Sequence, residues 1–400
     1  SILAYIVLRT FPHVRDWNEI HWGLGIGVVA LTVIWVFGMF YVSRIDLQEY
    51  FRWFVVHYWV EGVWEVIHIS LVGALVVLLF KASVKSVGYA VFWGIILVWL
   101  SGLIGNAHHY FWIGTPEFWQ FWGSLFSALE PLPLIFCFWH VYLDAHHDRR
   151  PLKNAPAFYF ILGSVVLEQV GAGLLGFTMT FALTNVWSHG TWITAAHAHL
   201  ALFGTFGMLG IGAAYYAIPV MRKALDYDQR LGKLAFWLVF IGILGVALAF
   251  AGGGTVQVYA YRTLGLDWFG GDIFPSMQIY KVFLPLFGLV FLAGTLLLVY
   301  DLATIGKRGK VAVIAPKTGP RVMTGWARPL SGFEAGVWLA VTWIFGFIIT
   351  FGLLSYGLPT VRVDGDPTLP YVLAAVGYPG LLLVTTLFVW RFLAAAEART

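Results

Sequence analysis

The chain has 400 residues, of which 60% are hydrophobic and only 11% are charged, and its mean hydropathy is +0.80. Soluble domains carry roughly 25% charged residues, so this composition excludes an ordinary soluble protein and predicts one that lies in a lipid bilayer. The formal net charge of +4 is small and no basic run alternates with aromatic residues, which excludes the pattern of a nucleic-acid-binding protein. The single cysteine excludes an intrachain disulfide, a thiolate zinc site and a covalent haem c attachment.

Apolar runs long enough to form membrane-spanning helices recur along the whole chain, since about 20 residues suffice to cross the hydrocarbon core. We therefore predict an all-α polytopic membrane protein that forms a single integral membrane domain over residues 1–400. The predicted spans number about ten and lie at about 21–42, 53–80, 87–111, 118–144, 157–184, 190–219, 233–252, 278–300, 334–358 and 370–394.

Lysine and arginine are distributed unevenly between the two sides of these predicted spans. Nineteen of them fall on one side and five on the other. Because cationic loops stay in the cytoplasm, the bias predicts that both ends of this chain are cytoplasmic. One wrongly added span would scramble the partition, so the bias also supports the number of spans.

Six histidine and glutamate side chains fall inside apolar spans, in the outer third of the membrane on this topology. Ionisable side chains are costly in a bilayer, so each such residue indicates a functional site. Together they predict a metal or cofactor site near the outer face, formed by His57, Glu61, His108, His109, His197 and His199.

The spacing of these residues limits which of them can share one ion. His57 and Glu61 are four residues apart and lie on one helix face. The adjacent His108 and His109 point about 100° apart on an ideal helix, so one metal can bind both only near the helix end.

His197 and His199 stand two residues apart and face roughly opposite ways, so a single metal cannot take both. Two separate cofactors on either side of the helix fit this pair, and haem iron readily accepts an axial imidazole. A hydrogen-bonded core histidine is the alternative for any one of these residues alone, but it does not account for the whole set.

Four motifs carry a resemblance to a known family: in chain order they read HYWVEGVWE, HHYFWIG, FSALEPLP and HGTWITAAHAH. Between about residues 50 and 220 the chain resembles the catalytic (large) subunit of bacterial nitric oxide reductases, which are relatives of the haem–copper oxidases. The resemblance implies a haem–copper-oxidase-like helical bundle. It also implies reduction of nitric oxide to nitrous oxide at a binuclear centre of haem b and non-haem iron, with electrons relayed by a low-spin haem b.

The resemblance also assigns roles to individual residues. It implies that His197 binds the high-spin haem b and His199 the low-spin haem b. Glu65 and Glu130 match two further glutamates near the family's active site, where they could relay protons; hydrogen bonding to a neighbouring helix is the alternative. The ligands that it implies for the non-haem iron are His57, Glu61, His108 and His109.

Two departures from the family pattern concern the ends of the chain. The resemblance implies a second axial ligand for the low-spin haem from an early helix, and no earlier predicted span has a histidine at a suitable depth. We expect this ligand in a segment that precedes Ser1, so N-terminal helices would be missing from this sequence. The spans at about 334–394 have no counterpart in shorter family members, and we expect them to contact a partner or an electron carrier.

The resemblance further implies partners and a location. A membrane-anchored cytochrome c subunit is the first choice as electron donor, with another donor subunit or quinol as alternatives. Nitric oxide would be the substrate, and whether Ca²⁺ bridges the haem propionates stays open. The expected location is the bacterial cytoplasmic (inner) membrane, with the active site toward the periplasmic side.

Four alternatives remain for the function. An oxygen reductase of the superfamily would carry tyrosine where this chain has Glu61, and a nitric oxide dismutase would have altered that glutamate. A haem protein that only transfers electrons would not need the non-haem ligands. A proton-coupled transporter would show helix breaks at corresponding positions of its two halves. Here the only glycine-rich break in or beside a predicted span is Ala251–Thr255, and no second one corresponds to it.

Overall fold

The described residues form helices joined by short connections and contain no strand. The computed structural model describes residues 2–80, 82–132, 135, 154–266, 274–308, 333–334, 336–338, 340–342, 344 and 368–397. Eight helices in this part of the chain are long and apolar enough to cross a membrane. The predicted all-α polytopic membrane fold is therefore confirmed. The predicted span at 118–144 is described only as far as residue 132 and at residue 135, and most of the span at 334–358 lies outside the described residues.

The chain divides into two compact units, the first formed by Ser1–Arg149 together with Thr180–Leu183. Its helix α3 has three parts, because a π-helical stretch separates two α-helical ones. The helices of this unit are α1 (Ile2–Thr10), α2 (Glu19–Phe37), α3 (Ile45–His57, π-helical Tyr58–Trp64 and Glu65–Phe80), α4 (Val84–Gly105) and α5 (Phe118–Leu129).

The second unit is formed by Arg150–Met179 and Thr184–Thr400. Three of its long helices also contain a π-helical stretch. The helices are α6 (Ala155–Glu168, π-helical Gln169–Leu175 and Gly176–Met179), α7 (Ala182–Ser188, whose first two residues belong to the first unit), α8 (Trp192–Ala198, π-helical His199–Gly207 and Met208–Met221), α9 (Arg230–Gln257 and π-helical Val258–Thr263), α10 (Phe274–Thr304) and α11 (Thr368–Glu397).

Two of the π-helical stretches coincide with predicted ligand positions. One begins at Tyr58, directly after His57, and another begins at His199 itself. A π-helical turn changes the direction in which side chains leave the helix and is frequent at functional sites. Hydrophobic periodicity alone does not reveal these turns.

Small residues bring α9 close to its neighbours within the second unit. A Cβ on Gly242 would lie 2.6 Å from the backbone of Phe291 in α10, so glycine is what permits this approach. The expected break at Ala251–Thr255 is wrong, because α9 is helical throughout that segment. A Cβ on Gly253 would lie 2.6 Å from the indole of Trp192, so these glycines serve packing instead of ending the helix.

Two polar contacts hold α11 to α9. The hydroxyl groups of Tyr378 and Thr255 lie 3.0 Å apart. At the last residue of α11, Lys233 Nζ lies 2.8 Å from Glu397 Oε1. The helix is thus an integral part of the second unit, and its contact with a partner or electron carrier stays a prediction.

Candidate metal centre

The centre of the site lies in the first unit, where α3 changes from α-helical to π-helical geometry. His57 ends the first α-helical part and is only 1% exposed. Glu61 lies in the π-helical turn that follows, and its Oε2 atom is 3.2 Å from His57 Nε2. The predicted sharing of one helix face by these two side chains is what the structure shows.

The adjacent histidines lie in a tighter turn that follows α4. His108 and His109 belong to the 3₁₀-helical segment Asn106–Tyr110, and their ring centroids are 4.1 Å apart. Each ring also lies close to that of His57, at 5.0 Å for His108 and 5.1 Å for His109. The end of α4 thus brings both imidazoles to the same side as His57.

These four side chains form a group that can hold a metal ion. His57, Glu61, His108 and His109 each offer one ligand atom, and the four atoms lie within 4.8 Å of one another. Metal–ligand distances of about 2.0–2.2 Å place the ligand atoms of one ion within roughly 4.4 Å of each other, so small inward movements would complete the site. Moreover, the buried Nδ1 atom of His57 has no hydrogen-bond partner among the described residues.

Two neighbours orient the histidines of this group. His57 Nε2 donates a hydrogen bond of 2.8 Å to the Gly102 carbonyl of α4. The indole of Trp53 stacks on the ring of His109, with 4.8 Å between centroids and 8° between planes. Neither Trp53 nor Gly102 was among the sequence-based candidates, because tryptophan and glycine occur throughout the spans and only the fold shows which ones touch a ligand.

The structure brings Glu130 to the same place from the end of α5. Its Oε1 atom is 4.0 Å from His57 Nε2, and its carboxyl group lies close to that of Glu61. Two carboxyl groups that lie this close favour a proton on one of them, because two negative charges side by side repel each other. A Cβ on Gly105 would lie 2.5 Å from Glu130 Oε1, so glycine at this position leaves room for the carboxyl group.

Glu65 lies one helical turn beyond Glu61 on α3. It is 6% exposed and opens the second α-helical part of that helix. Its carboxyl group is close enough to interact electrostatically with Glu130. The three predicted glutamates therefore form one acidic group near His57, in which Glu65 is buried and Glu61 and Glu130 are partly buried.

The two remaining predicted ligands, His197 and His199, lie in the second unit on α8. His197 Nδ1 is 2.9 Å from the Gly171 carbonyl of α6, and a Cβ on Gly176 would lie 3.3 Å from the His197 ring. The ring of His199 lies 4.9 Å from that of Phe250 in α9. The two imidazoles thus face different helices.

Hydrogen bonding also sets the tautomer of both residues. His199 Nδ1 lies 2.8 Å from the Ala195 carbonyl oxygen, and His197 Nδ1 likewise contacts the Gly171 carbonyl oxygen. Because a carbonyl oxygen can only accept, each imidazole donates from Nδ1 and carries its lone pair on Nε2. This arrangement is the one in which a histidine can ligate a metal through Nε2 while its other nitrogen is held in place.

Comparison with known proteins agrees with this geometry. The family model for "Cytochrome C and Quinol oxidase polypeptide I" matches residues 19–296, which is more than half of the chain. The chain belongs to this family. The matched range contains all eight predicted site residues, so the family assignment includes the candidate centre.

The predicted resemblance to nitric oxide reductases is also confirmed. A nitric oxide reductase subunit of Stutzerimonas stutzeri is 32% identical over 295 residues, which cover 72% of this chain and 61% of that protein. The cytochrome c oxidase subunit 1 homolog of Agrobacterium tumefaciens (strain T37) is 26% identical over 216 residues, or 52% of this chain and 39% of that protein. The chain therefore spans less than two thirds of the length of these relatives.

A solved structure supports the predicted haem–copper-oxidase-like bundle. A heme-copper terminal oxidase dimer determined by cryo-EM superimposes with a TM-score of 0.54 at 16% identity, covering 96% of this chain and 71% of that chain. At this identity the likeness concerns the fold alone. The eight long apolar helices of the described residues and the family match make the chain an integral membrane protein.

Proposed function

We propose that this protein reduces nitric oxide to nitrous oxide at a centre formed by a haem b and a non-haem iron, with electrons relayed by a low-spin haem b. Two molecules of nitric oxide, two electrons and two protons give one nitrous oxide and one water. The observation that carries the proposal is the position of Glu61, whose carboxylate lies 3.2 Å from His57 and joins three imidazoles in one ligand group.

The carboxylate distinguishes the proposal from oxygen reduction. Oxygen-reducing relatives are expected to carry a tyrosine one helical turn after the corresponding histidine, and this chain has Glu61 there. Three imidazoles and a carboxylate are a harder ligand set than three imidazoles alone, and iron accepts carboxylate oxygen well. The 32% identity to the nitric oxide reductase of Stutzerimonas stutzeri supports the same choice.

Each residue has a defined task in this proposal. His57, His108, His109 and Glu61 would hold the iron, His197 would bind the high-spin haem and His199 the low-spin haem. When bound, these metals would supply electron transfer and stabilise developing negative charge.

The acidic residues beside the ligands would hold protons and donate them to the reacting atoms. Glu61 and Glu130 lie together beside the ligand His57, with carboxyl oxygens 3.2 and 4.0 Å from its Nε2 atom, and would share a proton there. Glu65 lies one turn farther along α3 and extends the acidic group away from the ligands. A protonated carboxyl group at this position is suited to general acid catalysis at the reacting nitrogen and oxygen atoms.

Electrons would come from outside this chain, since it has no covalent haem motif. A membrane-anchored cytochrome c subunit is the proposed donor, with quinol as the alternative. The protein would lie in the bacterial cytoplasmic membrane with its centre toward the periplasm. Protons would then enter from outside, and proton uptake from the cytoplasmic side of reconstituted vesicles would contradict this part of the proposal.

The proposal is tested by comparing the two candidate substrates on purified protein. Ascorbate and a small redox mediator supply electrons, an electrode follows nitric oxide and then oxygen, and gas chromatography measures nitrous oxide. We expect one nitrous oxide per two nitric oxide molecules, and loss of this activity in Glu61→Gln. Glu117→Gln, an exposed glutamate just before α5, is the matched control. Faster consumption of oxygen than of nitric oxide would contradict the proposal.

A further inference from the structure

We propose that Ser127 is a positioning residue that fixes the tautomer and orientation of His108 in the metal centre. Ser127 lies on α5 and is 2% exposed. Its role rests on the proposed function, because it concerns the same metal-binding group, but it can be tested on metal affinity separately from turnover.

The hydroxyl group of Ser127 contacts both the ring of His108 and the carbonyl group of Gly105, the last residue of α4. Its Oγ atom lies 2.5 Å from His108 Nδ1 and 2.9 Å from the carbonyl oxygen of Gly105. A carbonyl oxygen can only accept, so the single hydroxyl proton of Ser127 is donated to Gly105. The hydroxyl oxygen then accepts from His108, whose proton must lie on Nδ1.

This assignment determines which nitrogen of His108 can bind a metal. A neutral imidazole protonated on Nδ1 carries its lone pair on Nε2. Ser127 therefore plays the part that partners of the second ring nitrogen play in metal sites, where they hold the ring and raise its basicity. The same hydroxyl also satisfies a carbonyl at the last residue of α4, where helix carbonyls lack partners within the helix.

A close approach of α5 is what brings the hydroxyl within reach. Gly123 and Ser127 are four residues apart and lie on one face of that helix. A Cβ on Gly123 would lie 2.7 Å from the carbonyl carbon of Ala107 and from the amide nitrogen of His108. Without a side chain at position 123, α5 can rest directly on the backbone that carries the histidine pair.

Ser127→Ala tests the inference by removing only the hydroxyl oxygen. Removal of such an outer partner typically lowers metal affinity about 10- to 100-fold. Haem-loaded protein is titrated with a ferrous-iron chelator, and the iron remaining beyond haem is measured at each concentration. We expect Ser127→Ala to lose this iron at 10- to 100-fold lower chelator concentration, while the haem absorption spectra stay unchanged and show that the variant is folded.

Two further variants separate orientation of His108 from general packing. Ser124→Ala removes a hydroxyl from the same helix that instead accepts a hydrogen bond from the Ala182 amide, and it should keep its iron. Ser127→Thr keeps the hydroxyl and should recover most of the affinity.

The outcomes distinguish the inference from the proposed function. Wild-type iron retention in Ser127→Ala would overturn the positioning role and leave the metal centre intact, and so would equal iron loss in Ser124→Ala. A wild-type protein with no iron beyond its haem would overturn the proposed function and this inference together.

Discussion

Gly123→Ala tests whether the metal centre depends on the close packing of α5 against the backbone of Ala107 and His108. The added methyl group would lie 2.7 Å from the carbonyl carbon of Ala107 and from the amide nitrogen of His108, so one of the two backbones must retreat by about 0.7 Å to reach the 3.4 Å of ordinary contact. Overpacking of this kind costs about 1–3 kcal/mol. Since a displacement near 1 Å at a reacting centre can lower turnover on the order of 100-fold, we expect a roughly 10- to 100-fold loss.

The assay is nitric oxide consumption per haem, together with iron per chain beyond haem. Gly288→Ala is the matched control, because a Cβ there meets nothing within 4 Å and alanine is the better helix former. It should have wild-type turnover. If Gly123→Ala also keeps wild-type turnover and iron, then the close packing of α5 does not position the histidine pair, and this prediction is wrong.

Further predictions concern the ligands and the packing of the second unit. Glu61→Ala should lose non-haem iron while both haem spectra remain, as measured by optical spectra with iron analysis. Normal turnover in this variant would show that the assignment of Glu61 is wrong. His197→Ala should remove the high-spin haem signal selectively and His199→Ala the low-spin one, measured by electron paramagnetic resonance; loss of the opposite signal would reverse the assignment. Gly242→Leu should lower the unfolding temperature, because the new leucine side chain would meet the Phe291 backbone at 2.6 Å or less. An unchanged unfolding temperature would show that α9 and α10 can separate without cost.

Composition was sufficient to predict the membrane fold, and the resemblance to nitric oxide reductases, together with the ligand spacing, predicted the residues that meet at the centre. The four-residue step from His57 to Glu61 gives one helix face in either helix type, so the pair could be placed without knowing about the π-helical turn. The pairing of His108 with His109 needed a helix end, and a 3₁₀-helical segment after Gly105 provides one.

Other features depended on long-range contacts that a single sequence does not contain. Helix α3 begins at Ile45, eight residues before the predicted start, because polar residues such as Asp46 and Glu49 continue the helix beyond its apolar run. The partners of the ligands, among them Trp53 and Ser127, are of ordinary residue types and are recognised only once α3, α4 and α5 are packed together.

Total iron and copper per purified chain, set against haem b from a pyridine haemochrome assay, is the most direct test of the proposed centre. We expect one iron atom in excess of the two haems and no copper, because Glu61 lies in the ligand group with His57, His108 and His109. Stoichiometric copper in place of that iron would contradict the account and favour oxygen as the substrate.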